Sequence, residues 1–185
     1  MSRLSTIQPE AATGNAKELL NAVRHKLGIV PNMTKTMANS PAVLDGYLSF
    51  SGALGTGLLD ARTRDQLALL AAQENECDYC LSAHSAIGKM VGLTADQIAQ
   101  GRSGHSDDTR INGALVFARR VLETRGGVSD EDLNAVRQAG YGDGEIAEII
   151  AHVALNVFTN YFNRAAQVEI DFPKVSFQKA SQPLS

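Results

Sequence analysis

The chain reads as all-α, a compact single helical domain, on three observations. Apolar residues recur at three- and four-residue spacing through most of its length. No run has the β-branched alternation that marks a strand. A long helix followed by a short capped one occurs twice. Gly92-Leu93-Thr94-Ala95-Asp96-Gln97-Ile98 resembles Gly127-Val128-Ser129-Asp130-Glu131-Asp132-Leu133, 35 residues on, and each copy follows a helix ending in glycine.

Ala16 to Leu27 carries Leu19, Leu20, Val23 and Leu27 at helical spacing, and Gly28-Ile29-Val30-Pro31-Asn32 ends that helix. A short helix is expected from Pro41 to Phe50, broken by the glycines of Ser51-Gly52-Ala53-Leu54-Gly55-Thr56-Gly57. From Thr63 to Glu76, Thr63 and Gln66 stand as a capping box, with Leu67, Leu70 and Ala71 as the apolar stripe. Cys77 falls at the start of another helix, expected to reach Val91 and stop at Gly92. Ser106-Asp107-Asp108 should cap a long helix through Arg125, ended by Gly126-Gly127. Ser129 to Ala139 predicts a short helix, and Asp143 a cap for the last and longest one, to about Arg164. The tail from Asp171, with Pro173 and Pro183, reads as an extended arm. The expected organisation is a domain over residues 1–170 and an arm over 171–185.

At 185 residues the chain can bury one solid core and does not need two. No apolar run approaches the roughly 18 residues that a membrane helix needs. The first residues lack the apolar run of a signal peptide, so a cytoplasmic protein is expected. The net charge is -3 and there is no polybasic run, which argues against nucleic acid or an anionic membrane as partner. Two cysteines in a reducing compartment are not a structural disulfide framework; they point to catalytic, redox or metal-binding use.

Both cysteines and one of the four histidines lie in Glu74-Asn75-Glu76-Cys77-Asp78-Tyr79-Cys80-Leu81-Ser82-Ala83-His84. On a helix starting near Cys77, the residues Cys77, Cys80 and His84 share one face. A thiol in a first helical turn meets unpaired N–H groups and the positive end of the dipole, both of which favour thiolate. The imidazole can take its proton, and the second thiol can resolve a sulfenic acid into a disulfide. Glu74, seven residues beyond Leu67, is expected on the core side near the cysteine turn, where its carboxylate would orient an imidazole. The alternative for Glu74 is a helix-end side chain in water. The same thiols and imidazole could also supply three ligands to zinc or iron, although such ligands usually come from two separated elements.

Three other histidines carry less. His25 reads as surface, His105 as loop, and His152 as part of a polar stripe with Glu148 and Asn156 on the last helix. Phe158, Tyr161 and Phe162 are expected to pack the core or a subunit interface.

Glu74-x-x-Cys77-x-Tyr79-Cys80-x-x-x-His84 resembles the motif of the AhpD-like alkylhydroperoxidase group of the carboxymuconolactone decarboxylase superfamily. The Gly92-Leu93-Thr94 turn and the Gly28–Asn32 and Ser40–Leu44 segments share the group's character, so the resemblance runs from about residue 12 to 165. It implies an all-helical fold that assembles as trimers or hexamers. It also implies that Cys80 attacks a peroxide, Cys77 resolves it, and the histidine at His84 works in a proton relay with a glutamate on the preceding helix. In the best-known members that glutamate falls at Asp65, where the side chain is shorter, and a histidine between the cysteines is replaced by Tyr79. Three arrangements of the relay follow: through Asp65 with a bridging water, through Glu74, or through neither.

The function expected is a thiol-dependent peroxidase acting on hydrogen or organic peroxides, with no cofactor or metal and with an external dithiol or redox protein as electron donor. Its expected site residues are Cys80, Cys77, His84, Glu74, Asp65 and Tyr79. The alternatives are a dithiol–disulfide relay without peroxidase activity and a metal- or small-ligand-binding module.

Overall fold

The computed structural model describes residues 2–178. Nine helices follow one another among them: α1 (Gly14–Leu27), α2 (Asn32–Met37), α3 (Pro41–Gly55), α4 (Ala61–Glu74), α5 (Asp78–Met90), α6 (Ala95–Ser103), α7 (Thr109–Thr124), α8 (Asp130–Gln138) and α9 (Asp143–Ala166). No strand occurs among the described residues. The fold is all-α.

The centre is α4. Every residue from Asp65 to Ala72 is buried, so two turns of this helix have no solvent face. A helix buried all round must be wrapped, and α5, α6, α7 and α9 surround it. The main core joins Leu67 and Leu70 of α4 to Leu115 and Phe117 of α7 and Ile149 and Val153 of α9. A second cluster gathers Cys77, Tyr79, Cys80 and Leu81 with Ala166 and Val168, and Phe172, Val175 and Phe177 pack onto it.

Caps explain where most helices begin. Thr94 with Gln97 starts α6, and Ser129 with Asp132 starts α8, each as a reciprocal capping box. The repeated long–short pair is therefore α5–α6 and α7–α8. Asp108 accepts from the N–H groups of Arg110 and Ile111 at the head of α7. Arg125 closes α7 in the left-handed region, where glycine had been expected to do so.

Three expectations need correction. Thr63 does not cap α4; Asp60 does, accepting from the N–H groups of Arg62 and Thr63, while the Thr63 hydroxyl donates to it at 2.7 Å. Gly52 does not break α3, which runs on to Gly55, because single helical glycines cost only about 1 kcal/mol each. Gly142, not Asp143, is the cap residue of α9, and its N–H donates to the Glu145 carboxylate at 3.0 Å. Of the aromatic cluster expected in the core or at a subunit interface, Phe162 turns toward the core, while Phe158 and Tyr161 are exposed on the single chain because the buried face of α9 runs through His152, Asn156, Asn160 and Asn163. One helix, α2, had no counterpart in the reading of the sequence.

Residues 171–178 form no helix or strand and lie along α5. The Ser82 hydroxyl accepts from Val175 N at 2.9 Å, Asp78 Oδ1 accepts from Phe177 N at 2.6 Å, and Gln73 Nε2 donates to Gln178 O at 2.9 Å. The rest of the expected arm, residues 179–185 with Pro183, lies outside the described residues. No helix among the described residues is long and apolar enough to cross a membrane.

His152 is buried on α9, and its Nε2 has no hydrogen-bond partner. Burial pushes its pKa down to about 4; the nearby Arg64 adds to this and Glu148 opposes it. The unfolded chain, with an ordinary value of 6.5, takes up this proton first as pH falls. The stabilisation is therefore full above that value and is lost as pH drops toward the folded value. We expect urea unfolding to show a loss of about 2 kcal/mol from this residue between neutral pH and the folded pKa, after allowance for partial solvent screening. His152→Gln should flatten the profile, and an unchanged slope would remove His152 as its source.

Candidate active site

The site is built where α4 turns into α5. Asn75 and Glu76 link the two helices, Glu76 takes a left-handed φ of 52°, and Cys77 N donates back to Ala72 O at 2.9 Å. This tight closure sets Cys77 at the cap position of α5, where its Sγ accepts from Cys80 N at 3.2 Å. The two cysteines are joined as a disulfide with a Cα–Cα distance of 5.3 Å, and both are buried. The sulfurs thus sit at the positive end of α5, among the N–H groups of its first turn.

One turn beyond Cys80, the His84 ring is one-quarter exposed. Its Nδ1 lies 2.7 Å from Asp65 Oδ1 on α4. Facing a carboxylate, Nδ1 carries the hydrogen and donates it, which leaves Nε2 as an acceptor in the neutral ring. Asp65 is 4% exposed and its Oδ2 has no hydrogen-bond partner. A cavity of about 590 Å³ opens on the Cys77 side, between Tyr79, Asn163, Arg164 and Phe177. Arg164 closes its rim by donating to Asn75 O at 2.8 Å and pairing with Glu76 at 3.3 Å. Among the described residues, no group of three or more His, Cys, Asp or Glu side chains is arranged to hold a metal ion.

Residues 41–124 match the Carboxymuconolactone decarboxylase family. That segment contains the cysteine pair, the histidine and the buried aspartate. This segment, somewhat less than half of the chain, is similar to that family. The fold of the chain agrees with solved AhpD-like structures. A crystal structure described as the alkylhydroperoxidase AhpD core, an uncharacterized peroxidase-related protein from Ralstonia eutropha JMP134, is 26% identical over 92% of each chain, with a TM-score of 0.81. An uncharacterized peroxidase-related protein from Silicibacter sp. TM1040 is 23% identical over 83% of each chain, with a TM-score of 0.75. The debrominase Bmp8 is 19% identical over 91% of each chain, with a TM-score of 0.77. No curated protein matches the chain.

The six expected site residues divide. Cys77, Cys80, His84 and Asp65 come together. Asp65 meets the imidazole directly, without the bridging water that its shorter side chain had suggested. Glu74 does not join them: it is the last residue of α4, beyond the stretch that its neighbours enclose, and it pairs with Arg119 of α7 at 3.2 Å. Tyr79 is buried but its hydroxyl accepts from Met33 N at 3.2 Å, and its ring stands edge-on to Phe172 at 5.8 Å. It fastens α5 to α2 and to the tail, with burial pushing its pKa far up. Reading of the sequence missed Asn163, whose Nδ2 donates to Cys80 Sγ at 3.4 Å. The available signal was the polar stripe through His152 and Asn156, which continues to Asn160 and Asn163 at helical spacing.

Gly88, one turn past His84, makes room for the pair. A Cβ there would stand 2.8 Å from Asp65 Oδ2 and 3.2–3.3 Å from Ile98 and Leu93. Alanine is ordinarily the better helix residue. Gly88→Ala should nevertheless lower stability by about 1–3 kcal/mol through overpacking. Thermal denaturation measures this, and a raised melting temperature would show that the space is not needed.

Proposed function

We propose that the protein is a thiol-dependent peroxidase of the AhpD-like type, reducing hydrogen or organic peroxides through Cys77 and Cys80. The observation that carries this reading is the pairing of buried Asp65 with the part-exposed His84, one helical turn from Cys80 at the positive end of α5. In the reduced protein, His84 Nε2 takes the Cys80 proton. The thiolate attacks the terminal peroxide oxygen, the O–O bond breaks, and the imidazolium returns the proton to the departing alkoxide or hydroxide. Cys80 is left as a sulfenic acid. The Cys77 thiolate then attacks the Cys80 sulfur, hydroxide leaves and is protonated to water, and the disulfide forms. An external dithiol, itself oxidised to a disulfide, resets the pair.

The assembly implied by the family, a trimer or hexamer, belongs to the same reading. Exposed Phe50, Phe158 and Tyr161 give it apolar surface to bury, and sedimentation would reveal its size.

A second reading is dithiol–disulfide exchange with a redox protein and no peroxide turnover. It is favoured by the cavity, which meets Cys77 while Asn163 covers Cys80. Stopped-flow reaction of the reduced protein with peroxides separates the two. Sulfenate formation at Cys80 far faster than at a free thiol supports peroxidase action, and a rate equal to that of a free thiol supports exchange alone.

On the peroxidase reading, Cys80→Ser abolishes dithiol-dependent peroxide consumption. Cys77→Ser permits one turnover and stops at the sulfenic acid. Asp65→Asn, which loses the carboxylate behind His84, should slow turnover by about 10²-fold, the usual scale for general-base assistance. Steady-state assays with hydrogen and alkyl peroxides test all three, and unchanged turnover in Cys80→Ser would refute the mechanism.

A further inference from the structure

Asn163 occupies a core-facing position of α9, on the polar stripe through His152, Asn156 and Asn160, and it is 3% exposed. Its Nδ2 lies 3.4 Å from Cys80 Sγ and 3.2 Å from Met33 Sδ. Among the described residues these are the only hydrogen bonds its side chain makes, and Oδ1 is buried without a partner. A buried amide with one end unpaired and the other directed at two sulfurs is a poor device for stability. Sulfur in a disulfide or thioether is a weak acceptor, so the contacts return little in the oxidised protein. Reduction changes that: a Cys80 thiolate is a full anionic acceptor, and a donor already in place gives it a charge-assisted hydrogen bond. The opposite amide orientation would set Oδ1 against both sulfurs, repelling the thiolate, so the donor-inward arrangement is the one that fits the chemistry.

We propose that Asn163 is a further catalytic residue of this site, donating from Nδ2 to the Cys80 thiolate and raising its population at neutral pH. The proposal rests on the reading of Cys80 as the reactive thiol. Asn163 then adds to the first turn of α5, which carries Cys80, and to His84 one turn on. No covalent step is added; the amide changes the acid–base balance of a thiol that the mechanism already uses.

The test needs no peroxide, so its outcome is independent of whether peroxide is the substrate. Thiolate absorbance is titrated in the Cys77→Ser protein, where Cys80 is the single thiol, and again with Asn163→Ala or Asn163→Asp added. The expected result is a higher Cys80 pKa with alanine and a still higher one with aspartate, whose carboxylate would face the thiolate. Iodoacetamide alkylation at neutral pH should slow by about three- to tenfold with alanine, as a shift of half to one pKa unit requires. Unchanged pKa values in both variants, with helical content intact, would overturn the proposal. If the variants do not fold, the wild-type protein decides. The Asn163 side-chain amide proton, followed by NMR in reduced protein, should shift with the titration of Cys80, and a resonance that does not move would equally overturn the assignment.

Discussion

The carboxylate of Asp65 lies inside the protein, and much of the surrounding arrangement answers to it. It belongs to the enclosed stretch of α4, where an unpaired charge costs on the order of 3–5 kcal/mol. Among the described residues its one side-chain partner is His84. The helix carrying that imidazole must therefore run close along α4, and this fixes where the rest of α5 lies. Cys80 stands one turn before His84 and Gly88 one turn after it. The first presents the sulfur and the second leaves the space that Asp65 Oδ2 fills. Three successive positions on one face of α5 are thus explained by a single residue on another helix.

The second constraint is the linker. Only Asn75, Glu76 and the cap residue Cys77 separate α4 from α5, and the left-handed conformation at Glu76 costs about 1–2 kcal/mol for a non-glycine residue. Several contacts hold it. Asn75 Nδ2 donates to Asn160 Oδ1 at 3.0 Å, and Arg164 reaches both Asn75 O and the Glu76 carboxylate. These tie the turn to α9, the same helix that presents Asn163 to Cys80. The cysteine at the cap is a weaker acceptor than the serine, threonine or aspartate usual there, so α5 depends for its start on packing from α2, α9 and the tail. Tyr79 and Ser82 supply that packing through Met33 and Val175.

The elements that could be read from sequence are those with local causes. The capping boxes at Thr94 and Ser129 mark α6 and α8 because both partners lie within four residues. The common face of Cys77, Cys80 and His84 follows from helical period alone. What failed depends on distant neighbours. Glu74 shares the phase of Leu67, but phase cannot tell that α4 ends there and that Arg119 waits on α7. Asp65, among Arg62, Thr63, Arg64 and Gln66, has the look of a surface residue until α5 closes over it. Asn163 meets sulfurs 83 and 130 residues away in the chain, a relation that no local pattern carries.

The two sulfurs differ in ways that bear on how the disulfide reacts. Cys77 Sγ caps the helix and lines the cavity, whereas Cys80 Sγ faces Asn163 and lies one turn from His84. When a thiolate attacks a disulfide, the bond breaks so that the better-stabilised sulfur leaves with the charge. Both sulfurs sit at the first turn of α5, and on the proposed chemistry Cys80 is the better stabilised because it adds the Asn163 amide and has the imidazole one turn on. An incoming dithiol that uses the cavity meets Cys77 and expels Cys80, regenerating the nucleophile in its reactive form. The reverse attack would have to pass Asn163 and leave the charge on Cys77, which has the Cys80 N–H but not the Asn163 amide. On the proposed function, one asymmetry of environment would account for both halves of the cycle, with peroxide reacting at Cys80 and the reductant entering at Cys77.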